Sequence, residues 1–229
     1  MRASSTATRR LLARDPGLGL RLVIDRRGFL KQSAVLSCAS VLPLTTSGAA
    51  VATTGEEPNV IGPREGFSPQ IGTLVSMLTW MRGAVLGSVQ GLTRAQLDYL
   101  HDGKANTIAA LLLHLASTER LYQIHTFDGR KWNDWDEETK KKWLVAMNLG
   151  PAARSEIKGN DLGFYLETLA RVREQTLAEL RTRDDAWLMQ VDRDWSWGPT
   201  NNYCKWFHVC EHESNHNGQI KWITRRLPR

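Results

Sequence analysis

From residue 68 onward, apolar side chains recur every three or four positions, and the recurrence predicts four long helices. Ile71, Leu74, Val75, Leu78, Val85 and Val89 form a near-heptad stripe that places the first helix over about 68–90. The second starts near Asn106, a residue suited to an N-cap, and continues to about Phe127 with Leu111, Leu112, Leu115 and Tyr122 turned inward. A third spans about 162–181, where Leu162, Tyr165, Leu166, Leu169, Val172, Thr176 and Leu180 make the inner face and the charges lie outside. The fourth follows the turn-rich stretch 192–202 and runs toward the C-terminus.

The segments between these helices are rich in tryptophan. Residues 128–161 form a long connection carrying Trp132, Trp135 and Trp143, with a charged stretch at 136–142 that predicts a short solvated helix. The loop at 192–202 adds Trp195 and Trp197 directly before the last helix. Such aromatics either line a pocket mouth or fill the end of a core. No internal repeat interrupts the pattern, and roughly 160 residues suit a single domain.

The last helix carries His208, His212 and His216, half of the chain's six histidines, at four-residue intervals. Each step turns about 40° and rises about 6 Å, so neighbours in the series can share a metal ion while the outer two cannot. A third ligand then has to come from elsewhere, and the best candidate is His114, alone in the apolar run 107–116. An imidazole buried there needs a partner, which a carbonyl, a carboxylate or a metal ion can supply. His125 lies three turns past His114, too far to join it, and reads as a surface residue. Around His212 the helix places Lys205, His208, Val209, His216, Gln219 and Ile223 inward, leaving Glu211 and Glu213 at the flanks. Gly218, in mid-helix, suggests either close approach of another backbone or a simple packing allowance.

The words Leu112-Leu113-His114-Leu115-Ala116-x-x-Glu119 and His212-x-x-x-His216-x-Gly218-Gln219 resemble the signatures of the DinB-like superfamily. The resemblance extends from about residue 67 to the end and takes in the elbow 91–98. It implies an all-α four-helix bundle with a long crossover, holding a divalent ion with three histidines that map onto His114, His212 and His216. His208 is then free to support His212, to contact a substrate or to be an inert ring. Gln219, Trp195 and Trp197 are the other candidates to support the ligands or line the pocket. Zinc is the first expectation for three imidazoles, with nickel, iron and manganese also compatible.

Charge narrows the partners. Residues 1–52 hold eight of the 30 basic side chains and two of the 24 acidic ones, so the net +6 belongs to that leader and the remainder balances at 22 of each. Nothing in the folded domain then favours nucleic acid. Within the leader, Arg26-Arg27 followed by the apolar stretch 34–42 and Ala50-Val51-Ala52 resembles a cleavable twin-arginine signal. The expected organisation is a signal over 1–52, a flexible linker over 53–66 and the bundle over 67–229. The implied partner is the twin-arginine translocase, the destination is outside the cytoplasm, and the bundle pairs as a possible homodimer. Cys204 and Cys210, six residues apart on one helix, point to different sides and cannot bond to each other.

Three imidazoles leave a coordination position open, as in catalytic rather than structural sites. With such an open site, the resemblance implies a metal-dependent hydrolase or a thiol-dependent transferase acting on a small molecule. The alternative is a non-catalytic metal-binding or stress-associated bundle.

Overall fold

A computed structural model describes residues 59–228. The leader and residues 53–58 lie outside the described residues. The long helices are α1 (Pro69–Val89), α3 (Ile108–Thr126), α6 (Leu162–Arg181) and α8 (Asn202–Thr224). Shorter elements fill the connections: α2 (Arg94–Leu97), α4 (Glu137–Asn148), α5 (Gly150–Glu156), α7 (Asp185–Met189), and the strands β1 (Val191–Asp192) and β2 (Thr200–Asn201), which pair antiparallel. Among the described residues, no helix is long and apolar enough to cross a membrane.

The starts of three long helices are written in single side chains. Thr107, rather than Asn106, caps α3 by accepting from the Ala110 amide; Asp161 caps α6 and Asn201 caps α8. Asn106 instead accepts from the amide of Gly150, tying the start of α3 to the start of α5. The elbow closes in a capping box between Thr93 and Gln96. Helix α1 borrows its cap from another element. The carboxylate of Asp185, in α7, accepts from Ser68 Oγ at 2.5 Å, Gln70 N at 3.0 Å and Ile71 N at 3.2 Å.

Packing follows the apolar stripes. Helix α3 lies between α6 and α8, and α1 lies against α8. The first halves of α1 and α8 share one apolar cluster with the end of α6, while their second halves meet the start of α3 and of α6 in another. Consequently α3 and α6 run the same way. The chain must travel the length of the bundle between them, and α4 and α5 are that crossover. Every apolar residue expected in the α1 stripe is buried, as are Leu111, Leu112, Leu115 and Tyr122 of α3. In α6, Leu162 and Leu166 are only half-buried.

The bundle also buries charge, and here α6 departs from the sequence reading. Arg82 from α1, Glu119 from α3, Arg173 from α6 and Glu213 from α8 meet at the centre, one from each long helix, none more than 8% exposed. Arg82 reaches Glu119 at 2.7 Å and Glu213 at 2.5 Å; Arg173 reaches Glu119 at 2.7 Å and Glu213 at 2.9 Å. Each guanidinium also donates to a backbone carbonyl, Arg82 to Leu169 and Arg173 to Leu78. Two cations against two anions leave the cluster neutral, which makes its burial tolerable. Arg173 is thus not an outer charge. Glu213 is not a flanking one.

Residues 59–66, expected as linker, lie along α1. The amide of Gly62 donates to Ser76 Oγ at 3.1 Å, and Trp80 donates to Asn59 at 3.2 Å. Gly72 permits this: a Cβ there would collide with the Arg64 backbone nitrogen. Replacing Gly72 by alanine should therefore cost about 1–3 kcal/mol. At Gly83, where a Cβ meets nothing within 4 Å, the same change should stabilise by up to about 1 kcal/mol. Thermal melts of the two variants should move in opposite directions; equal shifts would refute the close approach. At Gly218 the structure places nothing near a Cβ either, so no backbone approaches there as the sequence suggested.

Candidate metal centre

Antiparallel packing of α3 against α8 brings His114, His212 and His216 together. Their candidate ligand atoms all lie within 4.8 Å of one another. His212 Nε2 stands 3.1 Å from His114 Nε2 and 3.1 Å from His216 Nε2. His114 and His216 are 7% and 8% exposed, and His212 is half-buried.

The outer nitrogens fix what the inner ones present. His114 Nδ1 donates to the carbonyl of Ala146 in α4 at 2.9 Å, and His216 Nδ1 donates to Gln219 Oε1 at 3.3 Å. Both rings therefore turn a bare Nε2 lone pair toward His212, whose own Nε2 has room for one hydrogen and can answer only one of them. A shared cation answers all three. The two 3.1 Å spacings around His212 also fit, since ligands about 2.0–2.1 Å from a tetrahedral ion stand roughly 3.3 Å apart.

Electrostatics keeps the rings neutral. Burial, then the neighbouring His216, pushes His114 down to about 4. Burial, followed by His216, His114 and His208, pushes His212 down to about 3, and burial lowers His216. Neutral imidazole is the liganding form, so the set is ready at neutral pH.

The other candidates fall into different places. His208 is half-buried beside His212, with ring centroids 5.4 Å apart, and its Nδ1 pairs with Glu211 at 3.1 Å. Trp197, 55% exposed, meets the His208 ring edge-on at 4.9 Å and so borders this end of the site. Trp195 is buried and turned away, packed against His125 at 4.7 Å and Trp132 at 5.3 Å. Gln219 was expected to face inward, yet it is exposed and acts from outside by holding His216. His125 is not a surface residue: it is half-buried and bonded through both nitrogens, to the Arg130 carbonyl and to Lys205.

Comparison with known proteins agrees with this architecture. A family model described as Mycothiol-S-transferase matches residues 73–227, a span containing all three histidines. The chain belongs to the mycothiol S-transferase family. This family is DinB-like, as the two histidine signatures implied. A search of curated proteins finds no match. Among solved structures, the conserved protein of a locus from Enterococcus faecalis is similar at a TM-score of 0.52 and 15% identity, over 66% of this chain and 93% of that one. At that identity the likeness speaks for the fold alone.

Proposed function

We propose that this transferase-family protein holds a divalent ion through the Nε2 atoms of His114, His212 and His216, and transfers a low-molecular-weight thiol to a small electrophilic substrate. The observation that carries the reading is the convergence of three neutral imidazoles in a chain of this family. Bound there, a divalent ion would stabilise a coordinated thiolate, a thiol needing far less help than water to lose its proton at neutral pH. The chain supplies the rest. Ala146 and Gln219 hold two rings in the tautomer that leaves Nε2 bare. His208, beside His212, and Trp197, beside His208, are the side chains placed to meet a substrate approaching from that side.

The sulfur has to come from the co-substrate. Cys210 is buried, and burial followed by Glu213 pushes its thiol up to about 11, far from a reactive thiolate. Cys204, the other free thiol among the described residues, is exposed on the first turn of α8.

The test combines metal removal with turnover. Metal-loaded protein should consume mycothiol in the presence of an electrophile, and chelation should abolish this while leaving the far-ultraviolet circular dichroism largely intact. The apolar stripes of four helices hold the bundle without an ion. Loss of helicity on chelation would mark the ion as structural instead. Water-dependent cleavage without thiol consumption would shift the reading to a hydrolase.

Export belongs to the same proposal, because a twin-arginine signal carries proteins already folded and loaded with metal. Changing Arg26 and Arg27 to lysine should leave the precursor in the cytoplasm. Undiminished appearance outside it would remove the signal from the account.

A further inference from the structure

The last turns of α8 leave a large aromatic side chain in solvent. Ile220 and Ile223 turn into the core, while Trp222 is 43% exposed. Arg226 lays its guanidinium 3.9 Å from the centre of the Trp222 ring, and His101, from the loop between α2 and α3, meets that ring at 4.7 Å. The indole is thus held at the surface from both elements. Leu100, next to His101 in the chain, is 41% exposed as well. Two clefts of about 580 and 650 Å³ flank Trp222; Lys104 lines the first, and Lys221, Arg225 and Arg226 line the second. All four cations are exposed. Among the described residues, none of them forms an ion pair. The carboxylate of Asp102, beside Lys104, is engaged by the amides of Lys104 and Ala105 at 2.7 and 2.8 Å.

The helix dipole explains part of this arrangement, since cations are favoured where the last carbonyls of a helix face outward. It explains neither the exposed indole nor Lys104, which belongs to another element. After residue 52 the chain holds 22 basic and 22 acidic side chains, so unpaired positive charge around an apolar tip is a local feature rather than a general one. A second copy docking on this face about a two-fold axis would set like charges against each other. A polynucleotide would answer the cations but find no use for Leu100 and Trp222. A bilayer with acidic headgroups answers both, because tryptophan settles at headgroup depth and basic side chains are drawn to the charged surface. We propose that this end of the bundle attaches peripherally to a membrane surface rich in anionic lipid. Trp222 and Leu100 enter at headgroup level, and Lys104, Lys221, Arg225 and Arg226 face the lipid phosphates. Trp222 lies six residues beyond His216, about 9 Å along α8. The surface therefore uses none of the three histidines and stands independently of thiol transfer.

The probes are vesicles of phosphatidylcholine alone and of phosphatidylcholine with phosphatidylglycerol in equal parts, with inorganic phosphate and a DNA duplex as anionic comparisons. Residues 1–52 are themselves basic and partly apolar, so the full chain needs a local readout, which amide hydrogen exchange followed by mass spectrometry provides. Acidic vesicles should slow exchange over 99–106 and 221–228, and neutral vesicles should not. Salt at about 1 M, where the screening length falls to about 3 Å, should cancel the effect. Lys221→Glu, Arg225→Glu and Arg226→Glu together should raise the lipid concentration for half-maximal protection by on the order of a hundredfold, each cation near an acidic surface being worth roughly a factor of five. Lys104→Glu, on a different element, should raise it several-fold and keeps the test should the triple variant fail to fold. Protection confined to residues 1–52, equal protection by neutral vesicles, an unchanged half-point in both variants, or the same protection from phosphate or DNA would overturn the proposal.

Discussion

Replacing His212 by alanine should abolish the metal binding proposed for the three-histidine group and any turnover that depends on it. His212 Nε2 stands between the other two Nε2 atoms, at 3.1 Å from each, so its loss opens the set at the centre. Removing a mere supporting partner of a metal ligand already costs about 10–100-fold in affinity, and loss of a ligand should exceed that. His114→Ala and His216→Ala should behave alike. His125→Ala should retain full metal content, since its two nitrogens are committed to Arg130 and Lys205. Metal analysis of the four purified variants decides the matter: equal content in all of them would end the assignment.

Glu119→Ala should be the most destabilising single change in the bundle. It leaves Arg82 and Arg173 facing one remaining carboxylate in the interior, a situation that costs about 3–5 kcal/mol. For a domain of this size the melting temperature should drop by on the order of 10 °C. Replacing Arg82, Glu119, Arg173 and Glu213 together by apolar residues of similar volume should cost far less, because no uncompensated charge remains. A quadruple variant less stable than Glu119→Ala would contradict this account. The cluster also predicts an acid dependence. Burial alone would raise the Glu119 carboxyl, but Arg173, then Arg82, with hydrogen bonds from Arg173 and Thr176, hold it well below its ordinary 4.5. A depressed carboxylate contributes stability that is complete above the unfolded value and lost as pH falls through the folded one. Urea midpoints should therefore decline below about pH 4.5 in the wild type and decline less in Glu119→Gln.

The helices were legible because their signals are local. The bounds of α6 coincide with those read from its stripe, and α1 differs by one residue at each end. The three-histidine group was legible in part from spacing, since a four-residue interval on a helix is already a geometry. The charged centre was not. Each of its members looks like an ordinary surface charge on its own helix, and only the assembled bundle shows four of them meeting. A trace did exist: Arg82 falls between Leu78 and Val85 on the α1 stripe, and Glu119 between Leu115 and Tyr122 on that of α3. A charge in an apolar register, answered by opposite charges in the registers of other helices, is a signal that needs all four helices at once. A cleft of about 740 Å³ walled by Lys205, Trp132, Trp187 and Trp195 was hidden for a related reason. It is built from two connections and two helices whose approach no local pattern encodes, and β1 and β2 are too short to announce themselves.

The anchor of His114 is a main-chain carbonyl, that of Ala146. No side-chain replacement at position 146 can delete that acceptor, whereas any change that slides α4 along α3 will withdraw it. The crossover thus doubles as a fixed jaw of the ligand set. The means of loosening the three-histidine group therefore include residues such as Trp143, which seat α4 on the core.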